Sequence, residues 1–300
     1  MIAEGSELTS GKILKGIGGF YYVETAEGVF ECKAKGRFRR EKISPIAGDK
    51  VSITVNSNAE NTIDEIDERK NFLLRPPVAN IDNLLLVVSM CEPAPNTLVI
   101  DKMTALAERN GITPIIVFSK TDLASADEFV DIYKTTGYSI FTVSPEDKSD
   151  LEKIMSLLSG KLTAFTGNSG VGKSTLINAL CPSLALSTAE ISSKLGRGRH
   201  TTRQAEIFHV GDGLIIDTAG FSSLDLISND PILKEELALY FPEFQEYIGQ
   251  CKFTSCAHIG EKGCKICEMV QKGIINKSRH DNYIELYNQA KNIKKWELSQ

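Results

Sequence analysis

The sequence lacks the features of a membrane or secreted protein. No apolar run among its 300 residues approaches the roughly 18 that a transmembrane helix requires. The start, Met1 to Ser6, has neither the basic region nor the apolar region of a secretory signal peptide. We therefore expect a cytoplasmic protein with no membrane partner.

An excess of basic charge is also missing. The formal net charge is −5, so any contact with nucleic acid must come from a local basic patch and not from the average composition. The composition, 42% hydrophobic and 24% charged, is typical of a globular protein, and 300 residues suffice for two or three domains.

The seven cysteines are an odd number and do not suit a disulfide framework. Four of them crowd into 251–267, which favours metal ligation in a reducing cytosol. Cys251-x4-Cys256-x-His258-x5-Cys264 supplies three thiolates and one imidazole, a set that suits tetrahedral Zn²⁺ in a closed, structural shell. Cys267 forms a C-x2-C pair with Cys264 and is an alternative fourth ligand to His258.

What the sequence does contain is a phosphate-binding P-loop, G-x-x-x-x-G-K-[ST], at 167–174. A short apolar strand pattern at 162–166 precedes it and a helix pattern at 175–180 follows it, which is the context that the motif requires. The alternative, a chance match in a glycine-rich turn, does not account for both flanks.

The P-loop assigns specific roles to its residues. Backbone N–H groups and the helix N-terminus would converge on phosphate oxygens. Lys173 would contact the β- and γ-phosphates, and the Ser174 hydroxyl would bind Mg²⁺. The candidate nucleotide-binding residues here are Gly167, Asn168, Ser169, Gly170, Val171, Gly172, Lys173, Ser174 and Thr175.

Apolar strand patterns alternate with helix patterns ahead of the P-loop. The strands are predicted at 83–89, 114–118 and 139–143, and the helices at 97–108, 126–135 and 150–158. Such alternation indicates a doubly wound parallel sheet of the α/β class. The preceding residues 71–80, which include Pro76 and Pro77, are predicted to be a linker.

A second motif indicates guanine. Ser119-Lys120-Thr121-Asp122 ends a predicted strand and resembles the N-K-x-D motif of GTPases. The Asp122 carboxylate would accept from guanine N1 and N2, a donor pair that adenine lacks. Lys120 would cover the base, and Ser144, after the next strand, would contact guanine O6 through its backbone. The alternative for Asp122 is an ordinary helix N-cap.

A third motif, Asp217-Thr218-Ala219-Gly220, also ends a predicted strand. Asp217 would hold Mg²⁺ through water, and the Gly220 N–H would meet the γ-phosphate. In ordinary GTPases the P-loop comes first and the guanine motif last. Here the guanine motif precedes the P-loop, so the order indicates a circular permutation.

The first 70 residues have short strand patterns at 11–15, 21–25, 29–33 and 50–55, which suggest a small β-barrel. A basic run interrupted by Phe38 follows the third strand, and cations beside an aromatic ring are typical of an RNA-binding surface. An ordinary solvated hairpin is an equally good interpretation. The run consists of Lys33, Lys35, Arg37, Arg39, Arg40 and Lys42.

With these motifs the chain resembles, over essentially its whole length, the RsgA (YjeQ) family of circularly permuted GTPases that act in small ribosomal subunit biogenesis. The resemblance implies an OB-fold for the barrel and a partnership with the 30S subunit through its 16S rRNA. It also favours His258 over Cys267 as the fourth ligand of one structural zinc. Thr202, in a stretch similar to the family's switch loop, would complete the coordination of Mg²⁺ when GTP is bound.

The chain departs from the family pattern at two positions. Ser119 stands where the guanine motif usually has Asn, so we expect lower guanine affinity with specificity still set by Asp122. Ala219 replaces the usual proline, a change that should be tolerated because Ala can adopt proline's φ.

Hydrolysis needs a residue that orients water. Phe221 occupies the position of the Gln used by Ras-type enzymes and cannot align a nucleophile. His200, in the switch loop, is the candidate that both the residues and the resemblance favour, with Lys173 neutralising charge. The alternative role for His200 is contact with rRNA.

The sequence therefore predicts an α/β protein with three domains: an RNA-binding barrel at 1–70, a circularly permuted GTPase domain at 71–225 and a helical zinc-binding domain at 226–300. We expect a monomeric GTP hydrolase that is stimulated by the ribosome and assists late 30S maturation. The alternatives are an rRNA-binding assembly factor of negligible turnover and a permuted NTPase that acts on another RNA.

Overall fold

The computed structural model describes residues 6–57, 59–74, 77–145, 147, 149–182, 205–217, 231–291 and 293. The chain divides into two compact units, each built from three segments. The first unit contains Met1–Asn83, Met155–Phe165 and Ile177–Phe221. The second unit contains Leu84–Ile154, Thr166–Leu176 and Ser222–Gln300. Among the described residues, no helix has the length and apolarity to cross a membrane.

The N-terminal strands close into a barrel in the order β1-β2-β3-β5-β4. β1 pairs with both β2 and β4, and β3 pairs in parallel with β5, which closes the cylinder and leaves no open edge. Four of the strands were expected from the sequence, and the fifth, β5, was not. The strands are β1 (Ser6–Ile17), β2 (Phe20–Thr25), β3 (Gly28–Ala34), β4 (Lys50–Asn56) and β5 (Asn61–Ile66).

The barrel core is formed by side chains that point inward from the strands, together with one side chain from a helical turn. It consists of Ile13, Val23, Cys32, Phe38, Val51, Ile53 and Ile63. Phe38 comes from α1 (Arg37–Arg40), a single helical turn between β3 and β4, and is only 4% exposed. The aromatic ring of the basic run therefore packs in the barrel core, and its expected role on an RNA-binding surface is wrong.

The segment expected to be a linker is instead folded. Residues Phe72–Leu74 (β6) and Pro77–Ala79 (β7) pair as an antiparallel two-stranded sheet. Asn71 is buried, and its side chain bonds both the N–H and the C=O of Ile81 at 2.9 Å. The adjacent prolines indicated a linker, but Pro77 is the first residue of its strand, a position at which the missing N–H is tolerated.

Six further strands form one sheet in the order β10-β9-β8-β11-β13-β12. β9 and β10 are parallel, β11 and β13 are parallel, and β12 is antiparallel to β13. The fully buried run of β8 matches the continuous apolar pattern of its sequence. The strands are β8 (Asn83–Ser89), β9 (Thr113–Ser119), β10 (Ser139–Val143), β11 (Leu162–Thr166), β12 (Glu206–Val210) and β13 (Gly213–Asp217).

Helices connect the parallel strands, as the alternating pattern predicts. α2 begins after Asn96, whose side chain accepts a bond from the N–H of Val99 and so caps the helix. The helices are α2 (Thr97–Arg109), α3 (Asp127–Tyr133), α4 (Leu151–Leu158) and α5 (Lys173–Leu180).

The C-terminal part of the described chain contains three short helices and one long one. The helix expected at 231–240 is present only as a 3₁₀ helix at Leu237–Tyr240, which ends where Phe241, the residue before a proline, is extended. Phe241, Phe244 and Tyr283 form an aromatic core with ring centroids 5.0–5.3 Å apart. The remaining helices are α6 (Pro242–Gln245), α7 (Lys265–Gln271) and α8 (Lys277–Ala290).

An ion network buried within the second unit joins these helices to α2. The Arg279 guanidinium, on α8, donates to Asp101 Oδ1 at 2.6 Å and to both carboxylate oxygens of Glu243 at 2.7 and 3.1 Å. The side chains of these three residues are at most 3% exposed. Tyr133 and Asn282 each donate a further bond of 2.7 Å to Asp101. Charged side chains that are buried this deeply need such complete pairing, because each of them loses its hydration on folding.

Candidate nucleotide and metal sites

The P-loop follows β11 as the sequence predicts. Gly167, Gly170 and Gly172 have φ values of +144°, +82° and +93°, which residues with a side chain rarely adopt. At Gly167 a Cβ would lie 2.4 Å from the carbonyl oxygen of Val87, so no other residue fits. α5 then begins at Lys173, which places a helix N-terminus at the end of the loop.

The lysine of the loop lies over the loop's own backbone. Lys173 Nζ donates to the carbonyl oxygens of Gly167 at 2.5 Å and Asn168 at 2.8 Å. Ser174 is half-buried on the first turn of α5 and Thr175 is exposed. The cation and the helix N-terminus thus lie beside the same loop, an arrangement suited to binding an anion.

The guanine motif lies where two parallel strands end. Ser119 and Val143 are register partners on β9 and β10, so the turn at Asp122 and the turn at Ser144 leave the sheet side by side. Asp122 is exposed in its turn. The Ser144 hydroxyl accepts from the N–H of Asp147 at 2.9 Å, which closes the second turn.

Lys120 and Ser119 connect the guanine motif to neighbouring loops. Lys120 has a left-handed φ of +59°, and its Nζ donates to the carbonyl oxygens of Glu92 at 3.0 Å and Cys91 at 3.3 Å. The Ser119 hydroxyl donates to the carbonyl oxygen of Val171, in the P-loop, at 2.6 Å. The serine thus joins the guanine motif to the P-loop, a connection that the sequence did not reveal.

The switch residues fall largely outside the described residues. Asp217 is the last residue of β13, and its backbone is paired with Glu206 of β12. Its side chain, together with His200, Thr202 and Gly220, lies outside the described part of the chain.

The cysteine cluster comes together as a compact group. One ligand atom from each of Cys251, Cys256, His258 and Cys264 lies within 4.8 Å of the others. His258 Nδ1 is 3.5 Å from Cys251 Sγ and 3.5 Å from Cys264 Sγ, and these two sulfurs are 3.9 Å apart. Tetrahedral zinc requires ligand separations of about 3.8 Å between sulfurs and about 3.5 Å from sulfur to nitrogen. The donor set and its spacing fit zinc.

Burial protects two thiols of this cluster from ionisation. Burial raises the pKa of Cys256 and of Cys264 to about 12. Burial also lowers the pKa of His258, which favours the neutral imidazole that a metal binds. Thiolates in this pocket therefore require a cation beside them, as metal ligation provides.

Cys267 faces other groups. Its Sγ lies 3.9 Å from His280 Nε2 and 4.0 Å from the carbonyl oxygen of His258, and its N–H donates to Cys264 Sγ at 3.5 Å. It is not among the four residues that the structure brings together.

The sequence did not reveal the residues that hold the His258 loop. His258 has a left-handed φ of +61°, a conformation that costs energy for a residue with a side chain. His280 contacts the His258 carbonyl oxygen at 2.7 Å, and the Tyr283 hydroxyl donates to the Ala257 carbonyl oxygen at 2.8 Å. Glu261 accepts from the N–H groups on either side, those of Ala257 and Ile259. These bonds keep the imidazole aimed at the thiols.

The basic run is divided by its ion pairs. Lys33 pairs with Glu60 at 2.5 Å, Lys35 pairs with Asp64, and Arg37 donates to the carbonyl oxygen of Asp64. The exposed cations at the end of the run are Arg39, Arg40 and Lys42.

Two family models match successive parts of this chain. The RsgA N-terminal domain family matches residues 10–63, and the RsgA GTPase family matches residues 66–227. The "Small ribosomal subunit biogenesis GTPase RsgA" of Geobacillus sp. (strain WCH70) is 44% identical over 96% of this chain and 99% of its own length. The protein of the same name from Bacillus velezensis is 41% identical over 96% and 99% of the two chains.

Solved structures agree with the sequence matches. YloQ, described as a circularly permuted GTPase, is 34% identical with a TM-score of 0.80 and covers 98% of this chain and 99% of its own. YjeQ from Thermotoga maritima is 33% identical with a TM-score of 0.83 and covers 96% and 100% of the two chains. The chain therefore belongs to the RsgA family of circularly permuted GTPases.

Proposed function

We propose that this chain hydrolyses GTP to GDP and phosphate in response to the small ribosomal subunit and assists late maturation of that subunit. The relatives at 44% and 41% identity, named for small ribosomal subunit biogenesis, support the choice of partner. The observation that carries the choice of nucleotide is the position of the guanine motif: Asp122 is exposed in the turn after β9, beside the turn at Ser144 after β10. The 2.6 Å bond from Ser119 to Val171 places this motif next to the phosphate loop.

The nucleotide would lie across these two motifs. Asp122 selects guanine, Lys120 and Ser144 complete the base site, and residues 167–175 bind the phosphates. Lys120 reaches the base only if its ammonium leaves the carbonyl oxygens of Cys91 and Glu92.

Mg²⁺ bound with GTP supplies positive charge at the β- and γ-phosphates. Ser174, Asp217 and Thr202 are the residues proposed to hold it, and the Gly220 N–H is proposed to meet the γ-phosphate. In the reaction a water oxygen attacks the γ-phosphorus and the bond to the β,γ-bridging oxygen breaks. Lys173 neutralises the charge that develops, and His200 orients the water in place of the absent Gln.

Binding to the ribosome is assigned to the barrel. Arg39, Arg40 and Lys42 are exposed and would contact 16S rRNA phosphates, while Lys33, Lys35 and Arg37 contribute less because each has an acceptor within the barrel. We assign the RNA-binding barrel to 1–70, the GTPase domain to 71–225 and a domain with one structural zinc on Cys251, Cys256, His258 and Cys264 to 226–300. The protein would act as a cytoplasmic monomer.

The test is GTP hydrolysis by the full chain with and without 30S subunits at fixed salt. We expect slow turnover alone and strong stimulation by 30S. A variant with Arg39, Arg40 and Lys42 changed to Ala should lose stimulation at low subunit concentration and keep basal turnover. The matched control changes three exposed lysines elsewhere, Lys134, Lys153 and Lys277, to Ala and should behave as wild type.

Two results would change the conclusion. Tight 30S binding without stimulation would favour the assembly factor of negligible turnover. Equal loss of stimulation in the triple variant and its control would show that net charge, and not the barrel surface, governs binding.

A further inference from the structure

The end of β9 contacts the P-loop through a buried hydroxyl. Ser119 is 5% exposed, and its Oγ lies 2.6 Å from the carbonyl oxygen of Val171 and 3.3 Å from that of Val88. A serine hydroxyl carries one proton, so the shorter contact, to Val171, is the hydrogen bond. Because this proton is directed at protein, the hydroxyl does not donate to a base.

The acceptor of this bond, the carbonyl of Val171, belongs to the peptide that also carries the N–H of Gly172. Val171 lies between Gly170 and Gly172, the two glycines of the loop with φ near +90°. Glycine leaves a peptide unit free to rotate unless another bond holds it. The carbonyl of Val171 and the N–H of Gly172 belong to one planar, trans peptide, so they point in opposite directions. Holding the carbonyl toward Ser119 therefore directs the Gly172 N–H away from β9.

The donor in turn is firmly held. The carbonyl oxygen of Ser119 accepts from the N–H of Met90 at 2.9 Å, and the next residue, Lys120, is bonded to the carbonyl oxygens of Cys91 and Glu92. Gly172 is a neighbour of this hydroxyl, since a Cβ there would lie 3.7 Å from Ser119 Oγ, an ordinary van der Waals distance.

We propose that Ser119 is a positioning residue for the phosphate site: its hydroxyl orients the Val171–Gly172 peptide so that the Gly172 N–H points at the phosphates, and it does not contact the guanine base. The proposal deepens the proposed function and relies on it for the identity of the ligand. The sequence led us to expect that Ser119 weakens guanine binding. The proposal instead gives this serine a role in holding the P-loop, through its bond to Val171.

The first test is amide hydrogen exchange in the full chain without nucleotide, comparing wild type with Ser119→Ala and Ser119→Thr. Loss of the hydroxyl should speed exchange in residues 167–172 several-fold, and threonine, which keeps the hydroxyl, should restore the wild-type rate. Thr113→Ala, which removes an exposed hydroxyl from the other end of β9, is the matched control and should change nothing. Unchanged exchange in Ser119→Ala would overturn the proposal.

The second test measures the Kd of GDP and of IDP, which lacks the 2-amino group that Asp122 would bind. Ser119→Ala should weaken both by about tenfold, the effect of one lost hydrogen bond, and leave their ratio unchanged. A changed ratio would mean that Ser119 contributes to base selection, which contradicts the proposal. If wild type bound neither nucleotide, the proposed function would fail, and the exchange experiment would still decide the role of Ser119.

Discussion

The barrel and the C-terminal helical region, residues 231–291, are stabilised by different kinds of contact. Both are small, yet the ion pairs of the barrel each keep one partner at least 23% exposed, whereas the helical region buries a three-residue ion network and gathers four candidate metal ligands. Side chains in the Lys33–Glu60 pair of the barrel are 43% and 67% exposed, against 1% and 0% for Arg279–Asp101. The difference arises because backbone hydrogen bonds between strands hold the barrel together, whereas the helices depend on contacts between side chains.

A closed barrel satisfies its backbone through strand pairing. Each of the five strands has two partners, so backbone bonds alone define the shape and the side chains need only fill the centre. Charged residues can then stay in water, where pairing contributes little to stability.

The described residues of the helical region, 231–291 and 293, form no such ladder. Its helices include one of four residues and one of seven, lengths at which isolated helices are unstable in water. Side chains must therefore connect the helices. The cysteine cluster connects the loops at 251–264, and Arg279, stacked 4.5 Å from the ring centroid of Phe241, connects α8 to α6 and α2.

The largest expected effect comes from removing one of the proposed zinc ligands. Cys264→Ser should abolish zinc binding and unfold the helical region, because the binding energy of a structural zinc, of the order of 10 kcal/mol, is then lost from folding. Zinc content and hydrogen exchange in α7 and α8 measure this.

Cys267→Ser is the matched control and should keep stoichiometric zinc, since its sulfur faces His280. Loss of zinc in that variant, with retention in His258→Ala, would mean that Cys267 is the fourth ligand.

The next effect should come from Arg279→Met. Removing the cation leaves Asp101 and Glu243 buried without their partner, which costs about 3–5 kcal/mol in comparable cases. The measurement is native-state hydrogen exchange at the amides of α8 in the zinc-loaded protein. Arg279→Lys keeps the charge but not the bidentate geometry, so its stability should lie between those of the wild type and Arg279→Met. A loss below about 1 kcal/mol would remove the contrast with the barrel.

A smaller effect is expected in the barrel. Arg69 bonds the fully buried carboxylate of Asp49 at 2.7 and 2.8 Å but is itself 23% exposed. Arg69→Met should cost about 1–3 kcal/mol, because water can reach part of the site and the Ile46 N–H still donates to Asp49. Lys33→Met, at an exposed pair, should change stability by less than about 1 kcal/mol. Hydrogen exchange in β1 and β4 measures both, and a Lys33 effect as large as that of Arg69 would contradict this account.

The local geometry of the phosphate loop and of the cysteine cluster was predictable, because it rests on spacing along the chain. The P-loop depends on three glycines and a lysine within eight residues, and their sequence spacing alone predicts the turn that the structure contains. The cluster of Cys251, Cys256, His258 and Cys264 likewise forms within 14 residues. Short segments have few ways to fold, so local spacing is informative.

Other features were missed because they depend on contacts between distant segments. The basic run at 33–42 looks continuous in sequence, but whether Phe38 faces solvent depends on how α1 caps the barrel core. The segment at 71–80 resembles a linker until Asn71 is found bonded to Ile81. β5 has only a weak strand pattern and is held by its two neighbours in the barrel.

The sequence by itself determined the class of ligand and the order of the motifs, since glycine, lysine, aspartate and cysteine carry their chemistry wherever the chain places them at the right spacing. Only the tertiary structure decided how those motifs are supported. Ser119 and Val171 are 52 residues apart, and Asp101 and Arg279 are 178 apart. Such pairs meet because of the sheet topology and helix packing, which arise from the whole chain and not from any local pattern.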